Sequence, residues 1–129
     1  MDNNNKFQTA MNEIWLDDEG ILWLMPIESG EIDLEEAKAC FKIYKSMGCD
    51  KKKVLQLMDM RNSVTISKDA RDFAAKEGNN YFIASAIVSN TLAVRIMVNF
   101  FNKFYKPEVP FKLFGDIESA LKWLRTFKN

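Results

Sequence analysis

The chain contains no histidine, and its only cysteines are Cys40 and Cys49. Without histidine, the Ser-His-Asp and Cys-His arrangements that activate nucleophiles are excluded. The cysteines show no CxxC spacing, so no structural metal site is expected. Neither GxxxxGK[ST] nor GxGxxG occurs, which removes the usual phosphate-binding loops. We therefore expect no enzyme activity, no cofactor and no metal.

An excess of charge of either sign is also lacking. Eighteen basic and eighteen acidic residues give a formal net charge of zero. Such a protein has no overall positive field that attracts phosphate backbones, so nucleic acid is not an expected partner. The acidic pair Glu35 and Glu36 is predicted to be solvated, because it falls in the first turn of a predicted helix.

Long hydrophobic runs are absent as well. The most apolar stretch, residues 92–101, is about half the length of a membrane-spanning helix and contains Arg95 and Asn99. Residues 1–6 lack the apolar core of a signal peptide and are expected to form a disordered leader. Together with the small number of cysteines, these features predict a cytoplasmic protein without a membrane span.

Apolar residues nevertheless make up 47% of the chain, enough for a single domain over residues 7–129. Apolar runs at 11–16 and 21–27, separated by an acidic loop that ends in Gly20, predict a β-hairpin. Continuous apolar runs at 54–60, 81–88 and 111–114 are typical of strands that are covered on both faces.

Helical periodicity alternates with these strands. Capping residues predict that the four helices begin after Asp33, after Ser67, after Ser89 or Asn90, and after Asp116. Glu36 completes a capping-box pattern with Asp33. The order β-β-α-β-α-β-α-β-α predicts an α/β fold with a five-stranded, mostly parallel sheet, its first strand antiparallel, and four helices.

Several short segments recur in a characteristic order along the chain. They are residues 57–61, 65–71, 86–89, 95–96, 99–101, 106–107 with Pro110, 113–116 and 120–124. Together they resemble the STAS family of bacterial proteins, and in particular the SpoIIAA-like members of unassigned function. The resemblance covers about residues 10–127. It implies a β-α superhelix with a regulatory or protein-interaction role.

One position departs from this family. In its anti-sigma-factor antagonists, an Asp-Ser-Ser-Gly motif places a phosphorylated Ser at the start of the helix after the third strand. Counting from Asp59, the Asp of the motif falls on Ser67 and the phosphorylated Ser on Lys68, which is not a phosphoacceptor in that switch. Thr65 or Ser67 could carry a phosphate nearby, but the simpler interpretation is that Ser67 only caps the helix.

Ligands of open α/β sheets bind outside the carboxyl ends of the parallel strands. The candidate residues for an anionic ligand at that edge are Asp59, Arg61, Ser63, Thr65, Ser67, Ser89, Asn90 and Arg95. Helix N-termini there could bind an anion, with Arg61 or Arg95 as charge partner. In the structural alternative, Asp59 pairs with Arg61 or Arg71 and the hydroxyl groups cap helices.

The third predicted helix is apolar almost all round. We predict that Ala93, Ile96, Met97, Phe100, Phe101 and Phe104 cover the sheet, and that Leu92, Val94, Val98 and Tyr105 add apolar surface beyond it. Three explanations compete: a homodimer contact, a groove for an apolar ligand, and packing against the final helix with Trp123. The candidates for an interaction surface are therefore Leu92, Val98, Phe101, Tyr105 and Trp123.

The sequence leaves two functions open. The first, which we favour from the sequence, is a non-enzymatic STAS-like regulatory or protein-interaction module that forms a homodimer or docks a protein partner. The second is a small-molecule binder for an apolar, lipid-like or anionic ligand, since CRAL-TRIO lipid-transfer proteins have a loosely similar sheet topology. A large closed cavity would favour the binder, and a flat exposed apolar face would favour the interaction module.

Overall fold

The computed structural model describes residues 6–62, 64–105 and 108–128, apart from the side chain of Phe104. Its elements, in chain order, are β1 (Phe7–Gln8), β2 (Asn12–Leu16), β3 (Leu22–Pro26), β4 (Gly30–Ile32), α1 (Leu34–Ser46), β5 (Val54–Asp59), β6 (Val64–Ile66), α2 (Lys68–Glu77), β7 (Phe82–Val88), α3 (Leu92–Phe104), β8 (Phe111–Phe114) and α4 (Ile117–Arg125). Residues 1–5 of the predicted leader lie outside the described ranges. Lys6 is described, and its ammonium group lies 4.6 Å from the ring centre of Trp15.

The main sheet has the order β1-β2-β3-β5-β7-β8. β2 runs antiparallel to β1 and β3, while β3, β5, β7 and β8 are parallel. This arrangement confirms the mostly parallel α/β fold, the hairpin and the four helices. Gly20 in the hairpin loop has φ +79°, a left-handed conformation that favours glycine.

The predicted count of five strands is too low. β1 adds a sixth strand to the main sheet, and β4 pairs in parallel with β6 to form a separate two-stranded sheet. The strands predicted from the sequence include neither residues 30–32 nor residues 64–66. β4 and β6 have only three residues each, too few for a period-two pattern to identify them, and tertiary packing of Ile32 and Val64 stabilises them.

The helices are divided unequally between the two faces of the main sheet. Along β5, Leu55 and Leu57 pack with α4, whereas Met58 packs on the opposite face with residues of α1 and α3. α1, α2 and α3 therefore lie on one side, and α4 lies alone on the other. Because α3 and α4 are separated by the sheet, packing against Trp123 does not explain the apolar surface of α3.

Three predicted helix caps are confirmed. The side chains of Asp33, Ser67 and Asp116 each accept a hydrogen bond from the backbone N–H three residues further on. The capping box of α1 is only half formed, because the carboxylate of Glu36 is buried and accepts hydrogen bonds from Thr9 and Asn12 instead. The prediction that Glu36 is solvated was therefore wrong.

The predicted cap of the third helix is wrong by one or two residues. Thr91 caps α3, its Oγ1 accepting from the N–H of Val94 at 3.2 Å. Ser89 Oγ accepts from the N–H of Thr91, and Asn90 Nδ2 donates to the carbonyl of Gly115. Three consecutive residues of capping type made the sequence pattern ambiguous.

The buried face of α3 also differs from the prediction. Val94 and Val98 are 1% and 2% exposed and form the contact with the sheet, whereas Ala93, Ile96 and Phe100 lie on the exposed side. Both faces are apolar, so helical periodicity alone did not identify the inner one. Among the described helices, α3 included, none has the length and apolar character needed to cross a bilayer.

Candidate functional site

A cavity of about 120 Å³ lies between the main sheet and the three helices on its crowded side. Its walls are mainly apolar and include Leu24, Phe41, Met58, Phe82 and Met97. For comparison, an apolar cavity of about 150 Å³ stays free of water and accepts benzene. The space therefore suits a small apolar group better than a cluster of water molecules.

The cavity exists because small side chains face it from several elements. α2 contributes Ala70, Ala74 and Ala75, and Gly78 follows directly after the helix. α1 contributes Ala37, again a residue without a long side chain. Because α2 presents alanines toward α1 and the sheet, the layers meet without filling the volume between them.

Three connected polar side chains lie among the apolar walls. Ser85 Oγ donates to Gln56 Oε1 at 2.8 Å, and Gln56 Nε2 donates to the hydroxyl oxygen of Tyr44 at 3.4 Å. Gln56 and Ser85 are direct neighbours on β5 and β7, and all three residues are buried. Burial also raises the pKa of Tyr44 well above its usual value, so this hydroxyl stays protonated.

Most half-buried lining residues of the cavity lie on α2, on α3 or in the neighbouring loops, among them Arg71, Asn79, Phe101 and Val109, whereas the others lie on strands. From this distribution we place the opening of the cavity between α2 and α3. The two helices are linked across the opening by the Tyr105 hydroxyl, which donates a hydrogen bond to the carboxylate of Asp72. Phe101 stacks on Tyr105 with ring centres 4.7 Å apart, so aromatic rings form one side of the entrance.

Arg71 is the charged side chain at this entrance. Its Nη1 donates to the carbonyl oxygen of Ile66 at 2.6 Å. Its Nε is buried and has no hydrogen-bond partner among the described residues. The arrangement places a fixed positive charge at the border between the apolar interior and the surface.

Asp59 and Arg61, from the predicted anion site, are bound to each other. Arg61 Nε and Nη2 donate to the two carboxylate oxygens of Asp59, both at 2.8 Å. These hydrogen bonds hold the pKa of Asp59 below its ordinary value. The structural alternative considered above therefore describes this pair, which borders a shallow depression beside Met25 and Asn62.

The remaining anion-site candidates lie apart or are engaged elsewhere. Asp59 and Ser89 do end neighbouring strands, since Asp59 pairs in register with Val88. Thr65, however, belongs to the two-stranded sheet, and Ser67 caps the helix α2 that follows it. Arg95 is exposed on α3. Ser63 lies outside the described residues. Anion binding at this edge remains a prediction.

The interaction-surface candidates separate into four groups. Leu92 is 66% exposed, and its role in an interaction surface stays a prediction. Val98 is buried in the core, so its assignment to the surface was wrong. Phe101 lines the cavity, and Tyr105 stacks on Phe101. Trp123 packs against Phe114 and Phe127 on the opposite face of the sheet.

Sequence reasoning missed the residues that shape the cavity. Gln56 and Ser85 each interrupt an otherwise apolar strand, which is a signal for a buried polar contact or a site. For Arg71, the sequence suggests only an ion pair with Asp59. Its position at the entrance depends on how α2 packs, and no local pattern reveals that.

The crystal structure of an uncharacterized protein from the DUF3478 family with a SpoIIAA-like fold, from Shewanella loihica PV-4, is similar to this chain with a TM-score of 0.64 and 20% sequence identity. The match covers 96% of this chain and 98% of that chain. The similarity confirms the predicted SpoIIAA-like fold, and at this identity it shows the fold alone.

A family model described as "Domain of unknown function (DUF7793)" matches residues 14–128, so the chain belongs to that family. No curated protein gives a significant match.

Proposed function

We propose that this protein is a non-enzymatic binding module that holds a small, mainly apolar molecule in the cavity beneath α1, α2 and α3. The observation that carries the proposal is a cavity of about 120 Å³ with apolar walls and one buried polar chain, Tyr44–Gln56–Ser85. Pockets of this composition are typical ligand sites, because apolar walls supply affinity and a few polar groups orient the ligand. Of the two functions expected from the sequence, this supports the small-molecule binder.

The hydrophobic effect favours transfer of an apolar molecule from water into the cavity. Each methylene group that leaves water for the interior gains about 0.8 kcal/mol. The walls are already in place, so little ordering of the protein opposes binding. A cavity only slightly larger accepts benzene, and hexanol carries the same number of carbon atoms in a longer, flexible chain.

Titration with hexanol, followed by the NMR signals of methyl groups, tests the proposal. We expect shifts at wall residues such as Leu24 and Met58 and saturable binding. The variant Ala74→Leu places a larger side chain in the cavity and is expected to weaken hexanol binding at least about ten-fold. The control Ala93→Leu makes the same change on the exposed side of α3 and is expected to leave binding unchanged.

Absence of saturable shifts at the wall residues would contradict the proposal. Equal binding by wild type and Ala74→Leu would also contradict it, because the ligand would then lie elsewhere. Native mass spectrometry of the protein as purified adds an independent readout, since a retained small molecule would appear as added mass.

A cytoplasmic location belongs to the same proposal, because Cys40 and Cys49 are both unbridged.

Self-association through the outer face of α3 is a second candidate function. Leu92, Ile96 and Phe100 recur every four residues and are 66%, 59% and 45% exposed, which forms an apolar stripe on one helix. Light scattering after size exclusion tests this candidate. The candidate would be supported by a dimer that dissociates in the variant Ile96→Glu. The α1 surface variant Lys42→Glu is the control and should leave that dimer intact. A monomer at high concentration would contradict it.

A further inference from the structure

Arg71 carries an unpaired, buried hydrogen-bond donor at the entrance of the cavity. Its Nη1 is held by the carbonyl of Ile66, while Nε is buried and has no partner in the part of the chain that the structure describes. A buried donor on a charged group is costly when it is unpaired, and native proteins pair such groups with protein, water or ligand. An acceptor on a molecule in the cavity, which Arg71 lines, would satisfy this Nε–H group.

The acidic side chain next to Arg71 in the sequence, Asp72, is already engaged. The carboxylate of Asp72 accepts a hydrogen bond from the Tyr105 hydroxyl and pairs with Lys68 at 3.0 Å. Those two hydrogen bonds lower the pKa of Asp72, with a smaller contribution from the charge of Arg71, so the carboxylate is ionised and its hydrogen bonds go to Tyr105 and Lys68. Arg71 also interacts with the Tyr105 hydroxyl, but no carboxylate of the described residues forms an ion pair with it, so its charge remains available to a ligand.

The orientation of the guanidinium group suits one type of acceptor. Its Nε and Nη2 form an edge that binds a carboxylate through two parallel hydrogen bonds. Since Nη1 is held by Ile66, this edge does not have to be ordered on binding. Arg71 also lies in the first turn of α2, which begins at Lys68, where the helix dipole favours an anion.

We infer that the ligand is a small amphipathic carboxylic acid. Its carboxylate pairs with Arg71 at the entrance, and its apolar body occupies the cavity among side chains such as Met97 and Phe101. This inference rests on the proposed function and adds the chemistry of the head group. It differs from the anion site predicted at the strand ends, where Arg61 is bound to Asp59.

Calorimetric titration with hexanoate and with hexanol tests the inference, because the two probes share an apolar chain and differ in charge. Wild type is expected to bind hexanoate about ten-fold or more tightly than hexanol. Arg71→Met is expected to lose this preference and to keep its affinity for hexanol. Arg71→Lys retains a point charge without the planar edge and is expected to keep part of the preference.

Lys68→Met is the matched control, since it removes a positive charge from the same turn of α2 and is expected to leave the preference intact. Thermal unfolding of each variant establishes that it is folded. Equal affinity of wild type for both probes, or an unchanged preference in Arg71→Met, would overturn the head-group assignment while leaving the proposed function in place. If neither probe binds wild type, the proposed function fails and this inference fails with it.

Discussion

At the scale of single residues, Glu36 shows how a side chain acquires a role from distant parts of the chain. It is 6% exposed, and it accepts hydrogen bonds from Asn12 Nδ2 at 2.7 Å and from the Thr9 hydroxyl. These contacts tie the start of β2 to α1. The neighbouring Glu35 is exposed, so two adjacent carboxylates on one helix have different environments.

Replacing Glu36 by alanine is expected to lower the free energy of unfolding by about 1–3 kcal/mol, because Asn12 and Thr9 lose their acceptor. Glu35→Ala removes an exposed carboxylate and is expected to change the free energy by less than about 0.5 kcal/mol. Urea denaturation of the two variants measures the difference. Equal effects would show that the hydrogen bonds of Glu36 do not stabilise the fold.

A second prediction concerns the thiol of Cys40. Burial, followed by the nearby carboxylate of Glu36, raises the pKa of Cys40 from 9.0 to about 12. At about pH 8 the thiol of Cys40 in the folded protein therefore stays protonated. Its thiolate fraction, the reactive form, is roughly a thousand-fold lower than that of a thiol with the ordinary pKa. We expect Ellman's reagent to label Cys40 rapidly only after unfolding in guanidinium. Rapid labelling of the folded protein, with a Cys49→Ser background to isolate the signal, would contradict this.

At the scale of elements, α3 presents an apolar stripe on both sides. The inner stripe contains Val94 and Val98, which pack against the sheet, on Ile87 of β7 and on Met60 directly after β5. The outer stripe contains Ile96 and other exposed apolar side chains. Both stripes have the three- and four-residue spacing of a helix, so only the contacts of the folded molecule distinguish them.

The two stripes predict opposite responses to truncation. Val98→Ala removes two buried methyl groups and is expected to lower the free energy of unfolding by about 2 kcal/mol. Ile96→Ala removes exposed atoms and improves helix propensity, so we expect a change below about 0.5 kcal/mol. Thermal and urea unfolding measure both. A larger loss for Ile96→Ala in a monomeric sample would show that the assigned inner face is wrong.

At the scale of the whole molecule, the two faces of the sheet are packed differently. α4 presses directly against the sheet, where Ala84 and Ala86 are fully buried. On the other face, three helices surround a cavity. The unequal layers leave one face of the sheet densely packed, and they leave space on the other face, where we propose that a ligand binds.

This difference predicts opposite effects for the same substitution on the two faces. Ala74→Leu enlarges a side chain that faces empty volume, so we expect the free energy of unfolding of the ligand-free protein to stay unchanged or to rise. Ala86→Leu enlarges a side chain in the packed α4 face and is expected to lower it by about 1–3 kcal/mol. Urea denaturation compares them. A comparable loss in both variants would contradict the presence of usable space beside Ala74.

Much of the architecture follows from local patterns in the sequence. The hairpin around Gly20, the buried strands β5 and β7, and the caps at Asp33 and Ser67 were predicted because each depends on residues close together in the chain. The SpoIIAA-like fold was likewise predicted and is confirmed by the structural comparison. The lack of histidine and of net charge limits the available chemistry through composition alone.

Tertiary structure alone decided what those patterns left open. The pairing of β4 with β6, the inner face of α3 and the cap at Thr91 depend on contacts between segments distant in sequence. The cavity and the position of Arg71 at its entrance depend on how far α2 lies from the sheet, which is a property of packing. Periodicity identifies which residues share a face, whereas packing determines what each face meets and where space remains.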